Sequence, residues 1–223
     1  MPRILALIGF LAAASAAGAE PAASYDLLFK NGTLDEISRE ATLVYDRHVE
    51  NSAKADAALR DTGRIALTFG EDQGVEIATL EFRQGDKYRT LGRFPASVGN
   101  PMIMYFYETV VRDMAETAGG SPFYIRNRVK EAMARPGNVT EGTAEWQGDE
   151  VAATTVTLTP FTEDPNRSEM AGFADLALTV TMSEEVPGWY LSLSAEAPGE
   201  GEAPLYASQM RLQEIDRAAE AEQ

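Results

Sequence analysis

The spacing of apolar residues is typical of β-strands over the first half of the chain. Residues 41–49 alternate between two faces, and one face carries Leu43, Tyr45, Arg47 and Val49. Such alternation, with β-branched and aromatic residues, predicts a strand. Three further strands are predicted at residues 64–69, 75–82 and 88–94. The breaks between them are short, polar and contain glycine, which indicates hairpins and therefore an antiparallel meander.

Two shorter segments flank the first of these strands. Residues 27–29 are apolar and are followed by the turn pair Asn31-Gly32, so we predict a short strand there. Residues 51–61 are rich in alanine. The sequence leaves open whether this second segment forms a short helix or a flexible loop.

The apolar spacing changes to a helical period after residue 100. Asn100-Pro101 is a typical helix start and Gly119-Gly120 a typical helix end. Two adjacent apolar stripes lie between them. The first consists of Ile103, Phe106, Val110 and Met114, and the second of Met104, Tyr107, Val111 and Ala115. A face this wide predicts a largely buried helix. A second helix with a narrow stripe is predicted between Ser121-Pro122 and Pro136-Gly137.

β-Strand patterns return after the two helices. The predicted strands are residues 140–146, 151–161, 176–183, 189–196 and 206–215. Together the elements predict an α+β fold, in which a curved, half-barrel-like antiparallel sheet of about eight to ten strands is covered by the inserted helical hairpin. Because no repeat or linker divides the chain, we expect residues 20–223 to form a single globular domain with a frayed acidic C-terminus.

The first 19 residues have the three parts of a cleavable signal peptide. Arg3 supplies the positive start, residues 4–11 the apolar core, and Ala17-Gly18-Ala19 the small-residue exit. The apolar core is shorter than the roughly 20 residues that span a bilayer. We therefore expect cleavage near Ala19 and a periplasmic location, with secretion into the medium as the alternative. No later segment suggests a membrane anchor.

Cysteine content and charge exclude several classes of function. The chain has no cysteine, which excludes disulfides, thiol catalysis and the cysteine-linked lipid anchor of bacterial lipoproteins. Without residues 1–19 the chain has 18 Lys and Arg against 35 Asp and Glu, a net charge of −17. Phosphate backbones are held mainly by Lys and Arg, so nucleic acid is not an expected partner.

Motifs for catalysis or metal binding are missing from the sequence. His48 is the one histidine, and its place in the alternating strand predicts an exposed strand residue, with a general base as the alternative. The sequence has neither a Gly-x-Ser-x-Gly elbow nor the four Cys or His ligands of a structural zinc site. We therefore predict no catalytic residue, no metal site and no cofactor.

Two short regions are basic in an otherwise acidic chain. They are residues 83–93 and 121–137, and their candidate anion-binding side chains are Arg89, Arg93, Arg126, Arg128 and Lys130. If the regions met in space, they would suit an amphipathic ligand with an anionic head. The alternative is that these side chains pair with surrounding acids or extend along the surface of the second helix.

The order of meander, helical pair and second meander over residues 25–215 resembles the half-barrel class of outer-membrane lipoprotein carriers. Residues 100–133 also resemble a segment of uncharacterised exported bacterial proteins. In the carrier class, a curved sheet closed by helices shelters acyl chains. The resemblance implies cavity-lining residues on the first predicted helix, namely Met102, Met104, Phe106, Tyr107 and Met114. The alternative is that these five side chains are ordinary core.

Two functions of different classes follow from these observations. The first is a non-enzymatic carrier or binding module for a lipid, or for a lipidated protein, in the cell envelope. The second is a structural or assembly protein that recognises another envelope protein through its acidic surface or a strand edge. An enzyme is a third alternative, and His48 would be its test residue.

Overall fold

Nine strands form one antiparallel sheet in the order β4-β3-β2-β1-β9-β8-β7-β6-β5. The structure, a computed structural model, describes residues 21–201 and 203–217. The strands are β1 (Ala41–Asn51), β2 (Gly63–Asp72), β3 (Val75–Gln84), β4 (Lys87–Pro95), β5 (Asn138–Trp146), β6 (Asp149–Leu158), β7 (Ala177–Met182), β8 (Tyr190–Ala197) and β9 (Tyr206–Arg217). The α-helices are α1 (Pro21–Leu28), α2 (Ala55–Asp61), α3 (Met102–Ala118) and α4 (Pro122–Met133).

The sheet consists of two meanders that meet at β1 and β9. Strands β1 to β4 form the first meander and β5 to β9 the second, and α3 and α4 lie between the two in sequence. Bulges interrupt the register at Val44/Tyr45, Leu80/Glu81 and Thr181/Met182. Because each bulge bends its strand, the sheet curves, and β4 and β5 remain as its two free edges. The predicted α+β fold with a curved antiparallel sheet is confirmed.

Alternation along the strands separates a buried concave face from a more exposed convex face. In β1 the side chains of Leu43 and Tyr45 are buried, whereas His48 is exposed. Facing threonines pair across the convex face of β6 and β7, where Thr157 and Thr179 lie 3.3 Å apart between their hydroxyl oxygens. The concave face therefore supplies one side of the hydrophobic core.

Helix α3 covers the concave face, as its two apolar stripes predict. The side-chain Oδ1 of Asn100 accepts a hydrogen bond from the Met102 backbone N–H at 3.0 Å, which satisfies one free donor at the start of the helix. The helix ends at Gly119, whose φ of 80° is favourable for glycine. Helix α4 begins at Pro122 and buries a narrower stripe. The inserted helical hairpin is thus confirmed.

One predicted element is wrong, and others lie outside the described residues. Residues 27–29, predicted as a strand, belong mostly to helix α1. The last carbonyls of this helix accept hydrogen bonds from Trp189 Nε1, at Leu27, and from the Tyr190 hydroxyl, at Leu28. Such contacts between distant segments override a three-residue apolar pattern. The alternative left open for residues 51–61 is resolved as helix α2.

The signal-peptide prediction, with its cleavage near Ala19, falls outside the described residues, as does most of the predicted C-terminal tail. Over residues 21–201 and 203–217, no helix is both long enough and apolar enough to cross a membrane.

Candidate functional site

The space between the concave face and α3 is filled by apolar side chains from both. Of the predicted cavity residues, Met102, Phe106, Tyr107 and Met114 are at most 4% exposed and belong to one core cluster. Met104 is 47% exposed and lies outside that cluster. The structure therefore brings four of the five residues together, and their contact with a ligand stays a prediction.

Methionine is frequent in this core. Six buried methionines belong to it, namely Met102, Met114, Met133, Met170, Met182 and Met210. The methionine side chain is unbranched and polarisable, so it fits differently shaped neighbours more readily than leucine or isoleucine does. The six methionines therefore make this core more adaptable in shape than a core of leucine and isoleucine would be.

A buried ion pair joins α3 to the sheet at one end of the core. Arg47 on β1 has no exposed side-chain surface, and its Nη2 lies 3.2 Å from Asp113 Oδ2 on α3. The Tyr206 hydroxyl on β9 donates to the same carboxylate oxygen at 2.8 Å, and Arg47 Nη1 donates to the Tyr105 hydroxyl at 3.2 Å. Arg47 Nε has no hydrogen-bond partner in the described part of the chain. We call these four residues the Arg47–Asp113 cluster.

Further charges connect this cluster to the surface. Arg112 lies 2.7 Å from Asp113 and 2.9 Å from Asp61, measured between nitrogen and carboxylate oxygen. Arg60 contacts Asp61 and Glu116 at 2.9 Å each. Burial opposes ionisation of Asp61, but the hydrogen bond from Arg60 and the charge of Arg112 outweigh it, so the pKa of Asp61 lies below its ordinary value.

Side chains alone hold the helical hairpin on the sheet. Among the described residues, no backbone hydrogen bond joins α3 or α4 to a strand. The polar links to the sheet come from the Arg47–Asp113 cluster and from Asn51 Nδ2, which donates to Thr117 Oγ1 at 2.7 Å. These links are therefore separate from the backbone ladder of the sheet.

A second buried polar group closes the opposite end of the core. Asn100 Nδ2 donates to the Tyr45 hydroxyl at 3.1 Å and to the Gly188 carbonyl at 2.9 Å. Tyr45 in turn donates to the Tyr190 carbonyl at 3.1 Å, and the Tyr190 hydroxyl donates to the Leu28 carbonyl at 2.7 Å. Burial raises the pKa of both tyrosines well above the ordinary value. These bonds fix the start of α3 and the end of α1 on the sheet.

A cleft of about 800 Å³ lies near this second end, between residues 30–41 and 183–189. Lys30 Nζ lies 4.3 Å from the centre of the Trp189 ring and forms an ion pair with Glu184. Besides Glu184, the acidic residues that line the cleft are Asp35, Glu36, Glu40 and Glu185. A cleft this rich in carboxylates is a poor environment for an acyl chain, so we do not assign it to a lipophilic ligand.

Most of the predicted anion-binding side chains already have partners. The partners are Asp72 for Arg93, Glu108 for Arg126, Glu131 and Asp164 for Arg128, and the Phe82 ring for Arg89, whereas Lys130 is exposed. No hydrogen bond or ion pair between described residues joins the two basic regions. The pairing with acids that the sequence left open is thus observed, and anion binding by these residues stays a prediction.

His48 lies on the convex face, away from the space under α3. Its Nε2 is 3.3 Å from Glu50 Oε1, and both side chains are more than half exposed. Within residues 21–201 and 203–217, no group of three or more His, Asp or Glu side chains could hold a metal ion. The surroundings of His48 therefore give no support to a role as a general base.

The sequence analysis did not identify the Arg47–Asp113 cluster. Arg47 occurs in a row of apolar residues in β1, and Asp113 directly precedes Met114 on the buried face of α3. The signal in the sequence is one charged residue on the apolar face of β1 and another on the apolar face of α3, which indicates that each needs a buried partner. It could not reveal that these two residues pair, because they are 66 positions apart in the chain.

No family model and no curated protein matches the sequence. Among solved structures, the chain is similar to the crystal structure of the Mycobacterium tuberculosis lipoprotein LppX. The two are 11% identical, the alignment covers 90% of this chain and 99% of that chain, and the TM-score is 0.39. A likeness at this level gives no support for a shared ligand.

Proposed function

We propose that this chain is an exported binding or carrier protein that holds a lipophilic or lipidated ligand between its curved sheet and the α3–α4 hairpin. The observation that carries the proposal is the attachment of the hairpin by side chains alone. A lid of this kind can open over an apolar surface while the nine-stranded sheet stays intact.

Movement of the α3–α4 hairpin away from the sheet would expose apolar side chains on the hairpin and on the concave face of the sheet. The hairpin contributes Phe106 and Val110, each fully buried, and the sheet contributes Leu193 and Met210. Burying apolar surface is worth roughly 25 cal/mol per Å². An acyl chain that replaced the contacts of α3 would recover this energy, and the six buried methionines would let the walls adapt to it.

Glycine residues stand at both ends of α3, where a moving lid needs them. Gly99 precedes the helix with a φ of 109°, and Gly119-Gly120 follow it with φ values of 80° and 88°. Glycine is the residue that tolerates such angles and changes of them. Gly99 lies in the connection between β4 and α3, whereas Gly119-Gly120 lie in the turn between α3 and α4, so the lid can bend at these two places.

The Arg47–Asp113 cluster favours the closed form without ligand. Separating Arg47 from Asp113 would leave Arg47 on an apolar face, where a charge without a partner is costly. A ligand has to offset this cost with its own contacts. Binding is therefore expected to be selective for long apolar chains over small apolar molecules.

The experiment uses the full chain and a fluorescent fatty-acid probe, preceded by native mass spectrometry to detect co-purified lipid. Because the chain has no cysteine, a single engineered disulfide can fasten the lid. We suggest the double variant Asn51→Cys, Thr117→Cys, since these side chains are in contact between the sheet and α3, and formation of the disulfide is first verified by mass spectrometry. Probe uptake should be blocked in the oxidised variant and restored by reduction, with the unmodified chain insensitive to reductant.

Two results would contradict the proposal. One is delipidated protein that binds no acyl probe. The other is equal probe uptake by the oxidised and reduced forms of the double variant, because the ligand would then enter without movement of the hairpin. The predicted periplasmic location is checked separately, by the N-terminal sequence of the protein recovered from the periplasm, which should begin after Ala19.

A further inference from the structure

We infer that the ligand under the α3–α4 hairpin carries a carboxylate head, which replaces the Asp113 side chain on Arg47 when the hairpin opens. This inference rests on the proposed function and narrows its ligand to a long-chain fatty acid. The observations that carry it are a buried group of hydrogen-bond donors on the concave face of the sheet and a carboxylate from the hairpin that contacts them.

Three polar side chains lie together on the concave face of β1 and β9. Arg47 is paired with Met210 across the two strands, and Ser208 lies two residues from Met210 on the same face of β9. Tyr206 is the next residue on that face, and all three polar side chains are at most 1% exposed. We call Arg47, Tyr206 and Ser208 the sheet donors, because each can donate a hydrogen bond.

The sheet donors are only partly satisfied in the closed form. Of the five N–H groups of Arg47, one from each terminal nitrogen donates, to the Tyr105 hydroxyl and to Asp113. Among the described residues, neither Arg47 Nε nor the Ser208 hydroxyl has a hydrogen-bond partner. Buried donors are nearly always paired in native proteins, so these two indicate that the concave face binds a group with more than one acceptor oxygen.

Asp113 provides the acceptor for the sheet donors in the closed form. Its Oδ2 accepts a hydrogen bond from the Tyr206 hydroxyl at 2.8 Å and lies 3.2 Å from Arg47 Nη2. Asp113 belongs to α3, whereas both donors belong to the sheet. Movement of the hairpin therefore takes this carboxylate away and leaves on the sheet a group of donors that fits a carboxylate.

The charges that remain on the sheet favour a ligand with a negative head. Arg112 precedes Asp113 on α3 and lies 2.7 Å from its carboxylate, so these two charges leave together as a pair. Asp61 on α2 keeps Arg60 of its own helix at 2.9 Å. Of these residues, only Arg47 then lacks a counter-ion. A carboxylate head would offer it the two oxygens that a guanidinium binds best.

An apolar path for the acyl chain begins beside the sheet donors. Met210 is buried on the concave face and is paired with Arg47. On α3, Val110 and Phe106 precede Asp113 by about one and two turns, and both are fully buried. A fatty acid whose head lies at Arg47 would therefore place its chain in the space that these apolar side chains fill in the closed form.

The test compares a fluorescent fatty acid with its methyl ester in binding to the delipidated full chain at neutral pH. The two probes have the same acyl chain and the same fluorophore, which is attached at the end away from the head. The acid is ionised at this pH, whereas the ester keeps the carbonyl oxygen but has no charge. We expect the wild type to bind the acid at least about tenfold more tightly than the ester.

Three variants locate the origin of this preference. Arg47→Met combined with Asp113→Leu removes the guanidinium and its internal partner together, so the preference for the acid should fall below about threefold while the ester still binds. Ser208→Ala removes a hydroxyl without a partner and should weaken binding of the acid by about threefold, with the ester unchanged. Arg64→Met is the matched control, because Arg64 pairs with Asp46 at 3.1 Å and both side chains are more than a third exposed. It should keep the full preference.

The results separate this inference from the proposed function. Equal binding of acid and ester by the wild type would overturn the inference but leave the proposed function intact, because an apolar ligand would still be bound. A preference for the acid that survives in the double variant would overturn it too, since Arg47 would then not bind the head. Tighter binding of an alkyl phosphate of equal chain length would overturn the choice of a carboxylate. If neither probe bound, the proposed function would be refuted and this inference with it.

Discussion

Replacing Asp113 by asparagine should strongly destabilise the protein. The change keeps the size of the side chain but removes its charge, so Arg47 stays buried without a counter-ion. Asp113 also accepts hydrogen bonds from Tyr206 and Arg112, and the amide cannot replace both. Removing one partner of a buried pair costs about 3–5 kcal/mol. The midpoint of urea unfolding should consequently fall by more than about 1 M.

Glu116→Gln is the matched control, because Glu116 follows Asp113 by three residues on the same helix. It pairs with Arg60 at 2.9 Å, but both side chains are more than a third exposed. Exposed pairs contribute about 0–1 kcal/mol, so this variant should unfold close to the wild type. If Asp113→Asn cost no more than Glu116→Gln, the reasoning from burial would be refuted.

A compensating variant separates the charge from the packing. Replacing Arg47 and Asp113 together by methionine and leucine removes both buried charges and fills the space with apolar groups. Such replacements are neutral or stabilising by about 1–4 kcal/mol in other proteins. The double variant should therefore regain most of the stability that Asp113→Asn loses, as measured in the same urea titration. If the double variant were the less stable of the two, the cluster would be contributing more than charge compensation.

Two further predictions concern other parts of the core. Gly188→Ala should destabilise the protein by more than about 1 kcal/mol in thermal unfolding, because φ is 77° and the added Cβ would lie 2.7 Å from the Leu43 side chain. Gly70→Ala on β2, where the added Cβ would meet open space, is the control and should leave the stability unchanged in the same measurement. Burial raises the pKa of Tyr45, Tyr107, Tyr190 and Tyr206, so the stability these neutral phenols provide should be complete below about pH 10 and lost as the pH rises further. Tyrosinate absorbance should then rise together with unfolding, and ionisation of all eight tyrosines in a still folded chain would contradict this.

The sequence predicted local elements well and long-range partners poorly. Helix α3 was predicted to within two residues, because Asn100 and Gly119 mark its ends and its period is unambiguous. The strands of both meanders are predicted from their alternating apolar residues, and glycine turns mark the ends of β2, β3, β5 and β7. The predicted strand at residues 27–29 is wrong because three apolar residues fit a helix as well as a strand. The contacts that stabilise the helix there come from Trp189 and Tyr190.

The candidate site was harder to predict than the fold. Burial of Phe106 and Tyr107 follows from the apolar stripes of α3, but exposure of Met104 depends on which arc of the helix faces the sheet. Arg47 was placed correctly in the alternating row of β1, yet nothing local shows that its partner is Asp113. Spacing along the chain reports periodicity, whereas pairing of buried charges is a property of the assembled layers.

The pairing of β1 with β9 has a consequence for how the chain folds. These two strands form the centre of the sheet, yet β1 ends at Asn51 and β9 begins at Tyr206. Each meander can form from local contacts between its own strands, whereas the central seam must wait for the later strand. Until then, β1 and β8 each present an open edge beside an apolar face. A chaperone that shields these edges would act at this stage. We expect the slow pairing of β1 with β9 to limit the folding rate.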